Sequence, residues 1–174
     1  MVVKDKHFKK FIAHEEIIKK VRIIGEKINE DYKGKMPLFI PVLNGAFIFA
    51  ADLIQQINIP TQLSFIKLSS YRGVSTSGSA KELIGLNEDI KNRDIIIIED
   101  IVDTGITIDQ ILTELNKLKP RSIEVAALLI KREALQKKVD IKYFGFEIPD
   151  KFVVGYGLDY DGYGRNFRDI YQLV

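Results

Sequence analysis

Apolar and polar residues follow two rhythms along this chain. Between residues 14 and 33, Ile17, Val21, Ile24 and Ile28 recur three or four apart, with Lys19, Lys20, Glu26, Lys27 and Glu30 around them. That spacing predicts an amphipathic helix with one stripe on a core, and Gly34 is a fitting stop. Ile108, Ile111, Leu112, Leu115 and Leu118 predict a second such helix over 106–118, with Pro120 beyond its end. An apolar helix is expected from about Ala46 to Ile57. Strands are expected at 37–42, 61–68, 122–130 and 141–148. The strongest is the run Ile95-Ile96-Ile97-Ile98, which fits a strand covered on both faces, as in a parallel sheet. Strands alternate with helices, so the expected fold is α/β: an open, mainly parallel sheet flanked by helices, with right-handed crossovers. Residues 69–82 break all periodicity and read as a mobile loop. The aromatic and glycine-rich segment 149–174 is too short for a second domain and is expected to fold back as a small hood.

Composition narrows the setting. The chain has 174 residues, enough for one domain spanning 1–174. Its net charge is only +2, which argues against bulk nucleic-acid binding but leaves room for a local basic pocket. There are no cysteines, so thiolate chemistry and disulfides are excluded. The start, Met-Val-Val-Lys-Asp-Lys-His, has no apolar signal core, and no apolar run approaches membrane-spanning length. The expected location is cytoplasmic.

The candidate chemistry lies just after the isoleucine run. Glu99 and Asp100 fall where that strand is expected to end, and Asp103-Thr104-Gly105-Ile106-Thr107 leads into the next helix. In open α/β sheets, ligands bind beyond the carboxyl ends of strands. A Gly/Thr loop opening a helix offers N–H groups and hydroxyls to a phosphate. The adjacent acids would repel phosphate, but they can accept from sugar hydroxyls or help hold a divalent cation. The plainer reading is a strand–turn–helix with acids at a solvated end. Leu43-Asn44-Gly45, between a strand and a helix, is a second anion-site candidate. Lys131 and Arg132 close another buried strand on the same edge. Taken alone, they read first as a surface basic pair.

Apolar residues, two acids and then Asp-Thr-Gly-x-Thr resemble the phosphoribosyl-diphosphate (PRPP) signature of type I phosphoribosyltransferases. Leu-Leu-Ile-Lys-Arg and Gly-Phe-Glu-Ile-Pro-Asp-Lys-Phe-Val-Val-Gly-Tyr-Gly-Leu-Asp-Tyr, with a later Arg, resemble the hypoxanthine/guanine branch. The likeness runs from about residue 10 through nearly the whole chain. It implies purine salvage: transfer of the 5-phosphoribosyl group from PRPP to N9 of hypoxanthine, or of guanine, releasing diphosphate, with Mg²⁺ as cofactor. It also implies a homodimer or homotetramer.

By the same resemblance, Thr104, Gly105, Ile106 and Thr107 hold the 5′-phosphate. Glu99 and Asp100 take the ribose hydroxyls and the metal shell, and Asp159 accompanies the metal near the base. Leu43, Asn44 and Gly45 hold the diphosphate through N–H groups, with an unusual cis peptide at Leu43-Asn44, and Arg165 binds the leaving diphosphate. Many relatives carry Lys or Arg where this chain has Asn44, so diphosphate charge must be met elsewhere. Phe152 stacks on the purine, the Val153 backbone meets its pyrimidine edge, and Lys131 donates to the 6-oxo group. An ammonium has donors only, so it is a poor partner for a 6-amino group. Ser70 and Tyr71 belong to a closing lid. Asp103 exchanges a proton with N7, although an acid at that position also reads as a helix cap. Rival readings are a regulator built on a PRPP site, a transferase for adenine or a pyrimidine, and another nucleotide-binding fold. The last lacks a P-loop or dinucleotide glycine motif in the required setting.

Overall fold

Ile95, Ile96, Ile97 and Ile98 lie in the middle strand of a five-stranded parallel sheet, each fully buried. The structure is a computed structural model and describes residues 1–70 and 81–174. In chain order, the first half holds β1 (Val2–Val3), β2 (Lys6–Ile12), α1 (His14–Asp31), β3 (Leu38–Pro41), α2 (Phe47–Ile54), β4 (Gln62–Leu63), β5 (Lys67–Ser70) and β6 (Lys81–Ile84). The second half holds β7 (Asp94–Val102), α3 (Ile106–Lys117), β8 (Ser122–Ile130), β9 (Tyr143–Glu147), β10 (Val153–Val154) and β11 (Ile170–Leu173).

The parallel sheet has the order β4-β3-β7-β8-β9. Side chains alternate across its faces, and each face has its own core. Phe39, Ile96, Ile98, Ala126 and Leu128 pack with Ile17, Val21, Ile24 and Ile28 of α1 and with Phe49 and Leu53 of α2. Leu38, Ile40, Ile95, Ile97, Val125 and Ala127 pack with Ile108, Ile111 and Leu115 of α3. This two-sided cover is why β7 carries no polar alternation from Ile95 to Ile98. The α1 stripe is buried as its spacing implies. In α3, Leu118 lies just past the helix and is exposed.

Several boundaries differ from those expected. β7 does not stop at the acids but continues through Glu99 and Asp100 to Val102, because β8 pairs with it as far as Val102–Ile130. The 61–68 strand is two pieces: β4 on the edge of the parallel sheet, and β5, which turns away to pair antiparallel with β6. The apolar helix after Gly45 is shorter at both ends, and the last strand of the sheet starts at Tyr143. Segment 149–174 supplies β10 and β11 to a second sheet, the hood, and the N-terminal strands join them. Its antiparallel order is β1-β2-β11-β10. Val3, Phe8 and Val154 form its small core. Of the expected lid residues, Ser70 ends β5 and Tyr71 lies outside the described residues, as does most of the expected mobile loop.

Candidate active site

The carboxyl ends of β3, β7 and β8 point to one edge, and the chemistry-bearing residues collect there. Glu99, Asp100, Val102, Asp103, Thr104, Gly105 and Thr107 line a cavity of about 240 Å³. Its floor is the turn between β7 and α3. Gly105 precedes the helix with φ +78°, a conformation that favours glycine, and its α-carbon faces the backbone of Lys137. The Thr104 carbonyl accepts from the N–H groups of Gln136 and Lys137, which ties the turn to the segment after β8. The N-cap position of α3 is Gly105, and the Ile106 N–H donates to Thr104 Oγ1 at 3.4 Å. Asp103 is therefore not spent as a helix cap, and its carboxylate is half exposed. The first-turn N–H groups of a helix lack intrahelical partners, which is what makes such a turn a candidate anion site.

The two acids of β7 differ from one another. Glu99 is 7% exposed, and its Oε2 is buried with no hydrogen-bond partner. Burial first, and then the neighbouring Asp100, hold its carboxyl well above the usual range. The Asp100 carboxyl is pushed up to about 6, mainly by burial. The Ile101 N–H, which donates to its Oδ1, and the charge of Arg165 act the other way. A buried carboxylate oxygen without a donor calls for a hydroxyl or a cation. Among the described residues, no group of three or more His, Cys, Asp or Glu side chains is arranged to hold a metal. Two acids fit Mg²⁺ all the same, since that ion commonly takes one or two carboxylates and fills its shell with water and substrate phosphate oxygens.

The Leu43-Asn44-Gly45 turn stands beside this cavity, and Leu43-Asn44 is a cis peptide. Its ends are pinned: Val42 N–H donates to Ile98 O, and Leu43 N–H donates to Ile66 O. The Asn44 side chain is exposed. The hood reaches the same turn, where Gly157 packs against the Gly45 carbonyl so closely that a β-carbon at 157 would overlap it. Arg165 secures that loop by donating to the Gly157 carbonyl (2.6 Å) and pairing with Asp159 Oδ1 (2.6 Å). Asp159 Oδ2 also accepts the Gly162 N–H.

Lys131 follows β8 directly, and its N–H donates to Val102 O, alongside the end of β7. Its side chain is 7% exposed, and the ammonium lies 2.8 Å from Asp103 Oδ2 and 3.1 Å from Asp150 Oδ1. Burial works against the charge, but the two carboxylates outweigh it and leave the pKa above that of an ordinary lysine. Phe152 is not on the wall of the cavity. It stands half exposed on the hood, edge-on to Tyr160 at 5.8 Å and tilted against Phe8 at 6.4 Å. Val153 is buried in β10. The link between the Phe152 segment and the cavity runs through Asp150 and Lys131. Asp150 was not singled out from the sequence. Its one signal is position, since it is an acid two residues before the aromatic side chain.

Comparison with known proteins identifies the fold and the family. Residues 7–161 match the model of the phosphoribosyl transferase domain. The hypoxanthine-guanine phosphoribosyltransferase of Mycobacterium tuberculosis is 42% identical over 166 residues, covering 91% of this chain and 81% of that protein. The Bacillus subtilis enzyme of the same name is 42% identical over 160 residues, covering 91% and 88%. A crystal structure of a hypoxanthine-guanine phosphoribosyltransferase from Bacillus anthracis superposes with a TM-score of 0.88 at 32% identity, covering 97% of this chain and 98% of that one. The cis peptide, the acid pair and the Asp-Thr-Gly-x-Thr turn thus sit on a fold shared with those enzymes throughout, and the chain belongs to the phosphoribosyltransferase family, in its hypoxanthine-guanine branch.

Proposed function

We propose that this protein transfers the 5-phosphoribosyl group of PRPP to N9 of a 6-oxopurine, hypoxanthine and also guanine, releasing diphosphate. The observation that carries the reading is the 2.8 Å contact between Lys131 and Asp103. It brings a buried donor for a purine 6-oxo group and an acid for N7 to one point, from the ends of two neighbouring strands.

In this reading the turn Thr104 to Thr107 binds the 5′-phosphate through N–H groups and hydroxyls. Glu99 and Asp100 accept the ribose hydroxyls, which supplies the donor that Glu99 Oε2 lacks. The N–H groups of the Leu43–Gly45 turn bind diphosphate, and Arg165 contributes the cation that Asn44 does not. Phe152 covers the purine face, a stacking contact worth about 1–3 kcal/mol. The Val153 backbone meets the pyrimidine edge. Lys131 donates to the 6-oxo oxygen. Asp103 takes the N7 proton as N9 attacks C1′, so positive charge does not accumulate on the ring. Ser70 and Tyr71 would close over the site and exclude water from the activated sugar carbon. Bound Mg²⁺, accompanied by Glu99, Asp100 and Asp159, would neutralise charge on the departing diphosphate. We propose a homodimer or homotetramer, for which exposed Phe47, Leu63 and Phe65 offer apolar surface.

The test is PRPP-dependent nucleotide formation with hypoxanthine, guanine, xanthine and adenine in parallel. Activity on the 6-oxopurines is expected, and greater activity on adenine would overturn the role of Lys131.

A further inference from the structure

Lys131 has two carboxylate partners, and the proposed reaction gives work to only one of them. Asp103 reaches the ammonium from the turn after β7. Asp150 reaches it from the segment that carries Phe152, and its own side chain is 62% exposed. An ion pair between two exposed side chains is commonly worth little. Here one member is nearly out of water, where a charge needs partners of good geometry.

The demands on Lys131 change when a purine enters. Asp103 must present an oxygen to N7, while Lys131 must present an N–H to the 6-oxo group on the adjoining edge. An ammonium held by Asp103 alone would follow that carboxylate as it turns. A second anchor keeps it in place, and an ammonium has three donors, so two carboxylates and a carbonyl oxygen can be served together. Asp150 is also two residues from Phe152. The side chain that would read the edge of the base is thereby fixed relative to the side chain that would cover its face.

We propose that Asp150 is a positioning residue: it holds the Lys131 ammonium at the depth and angle at which a 6-oxo group meets it, and so contributes to selection of 6-oxopurines over 6-aminopurines. This rests on the 6-oxopurine reading given above.

Calorimetric binding of inosine 5′-monophosphate and adenosine 5′-monophosphate separates the two ideas without requiring turnover. The chains compared are wild type, Asp150→Ala, Asp150→Asn, Lys131→Met and the Asp150→Ala/Lys131→Met pair. Wild type is expected to favour the inosine nucleotide. Asp150→Ala should weaken that nucleotide about ten-fold or more, the low end of what a charged hydrogen bond contributes, and leave the adenosine nucleotide unchanged. Asp150→Asn, which keeps an acceptor oxygen, should lose less. In the Lys131→Met background the Asp150 substitution should have no further effect, because its action passes through the lysine. An inosine-to-adenosine preference in both Asp150 variants equal to that of wild type overturns the inference, as does an equal loss with and without Lys131. A wild-type chain with no preference for the inosine nucleotide overturns the 6-oxopurine reading, and this inference with it.

Discussion

Gly45 lies against the carboxylate of Asp100, with no space between them for a methyl group: a β-carbon on Gly45 would overlap Oδ2. Gly45 does not have a positive φ, so the requirement is room rather than backbone conformation. Overpacking of this kind costs about 1–3 kcal/mol. We expect Gly45→Ala to displace Asp100 and weaken PRPP binding about ten-fold or more, at ~1.4 kcal/mol per factor of ten. Titration calorimetry with PRPP is the measurement, and wild-type affinity would reject the proposed ribose and diphosphate roles of this pair.

Asp103 is free of any capping duty, so Asp103→Asn should leave α3 and the phosphate turn intact. General-base catalysis typically contributes about 10²–10⁴-fold. We expect kcat to fall within that range while PRPP affinity holds. A variant with near wild-type kcat on hypoxanthine would refute the assignment.

Asp169 predicts a pH effect on stability. Lys10 pairs with it at 2.6 Å, and the His14 N–H donates to it at 2.9 Å. These two contacts, in that order, hold its carboxyl below the ordinary value. A group with a folded pKa below its unfolded one stabilises the fold above the unfolded value, about 3.9, and loses that contribution as pH falls through the folded one. Asp169→Asn should therefore lower Tm at neutral pH, and the gap from wild type should close below about pH 4. A gap that is the same at pH 7 and pH 2.5 would show that the charge is not what matters.

Tyr156 is 1% exposed, and its hydroxyl donates to Asp52 Oδ2 on α2. Burial and then Asp52 push the phenol pKa far up, so it remains a donor at every working pH. Hydrogen bonds to charged groups contribute about 1.5–3 kcal/mol, and Tyr156→Phe should lose an amount in that range in urea denaturation. An unchanged midpoint would mean that water replaces the hydroxyl without cost.

The sheet was legible wherever burial was two-sided. The isoleucines of β7 and the apolar run of β8 admit one reading, and all four residues of the α1 stripe are buried, with Gly25 beside them. β2 escaped notice because Lys6 to Ile12 buries only Phe8 and Ile12, and its partner β11 lies more than 150 positions away. The 61–68 run misled because apolar composition does not say which sheet a residue joins: Leu63 pairs with β3, whereas Leu68 pairs with β6. In the site, Glu99 and Asp100 were recognisable as acids towards the end of a buried strand, and Asp103 as an acid in the turn after it. Asp150 was not, since an exposed acid acquires meaning only from a buried cation 19 residues away.

The hood is stitched from both ends of the sequence: β2 lies beside β11, and the Leu173 N–H donates to the Phe152 carbonyl. A chain emerging from the ribosome as far as residue 148 already owns every strand of the parallel sheet, and with them the turn proposed to hold phosphate. The hood that carries Phe152 must wait until residues 170–173 have been made and have travelled back to strand 6–12. On the proposed reading, the groups that would hold the sugar phosphate, and Lys131 with them, are thus in place before the aromatic cover for the base is fixed.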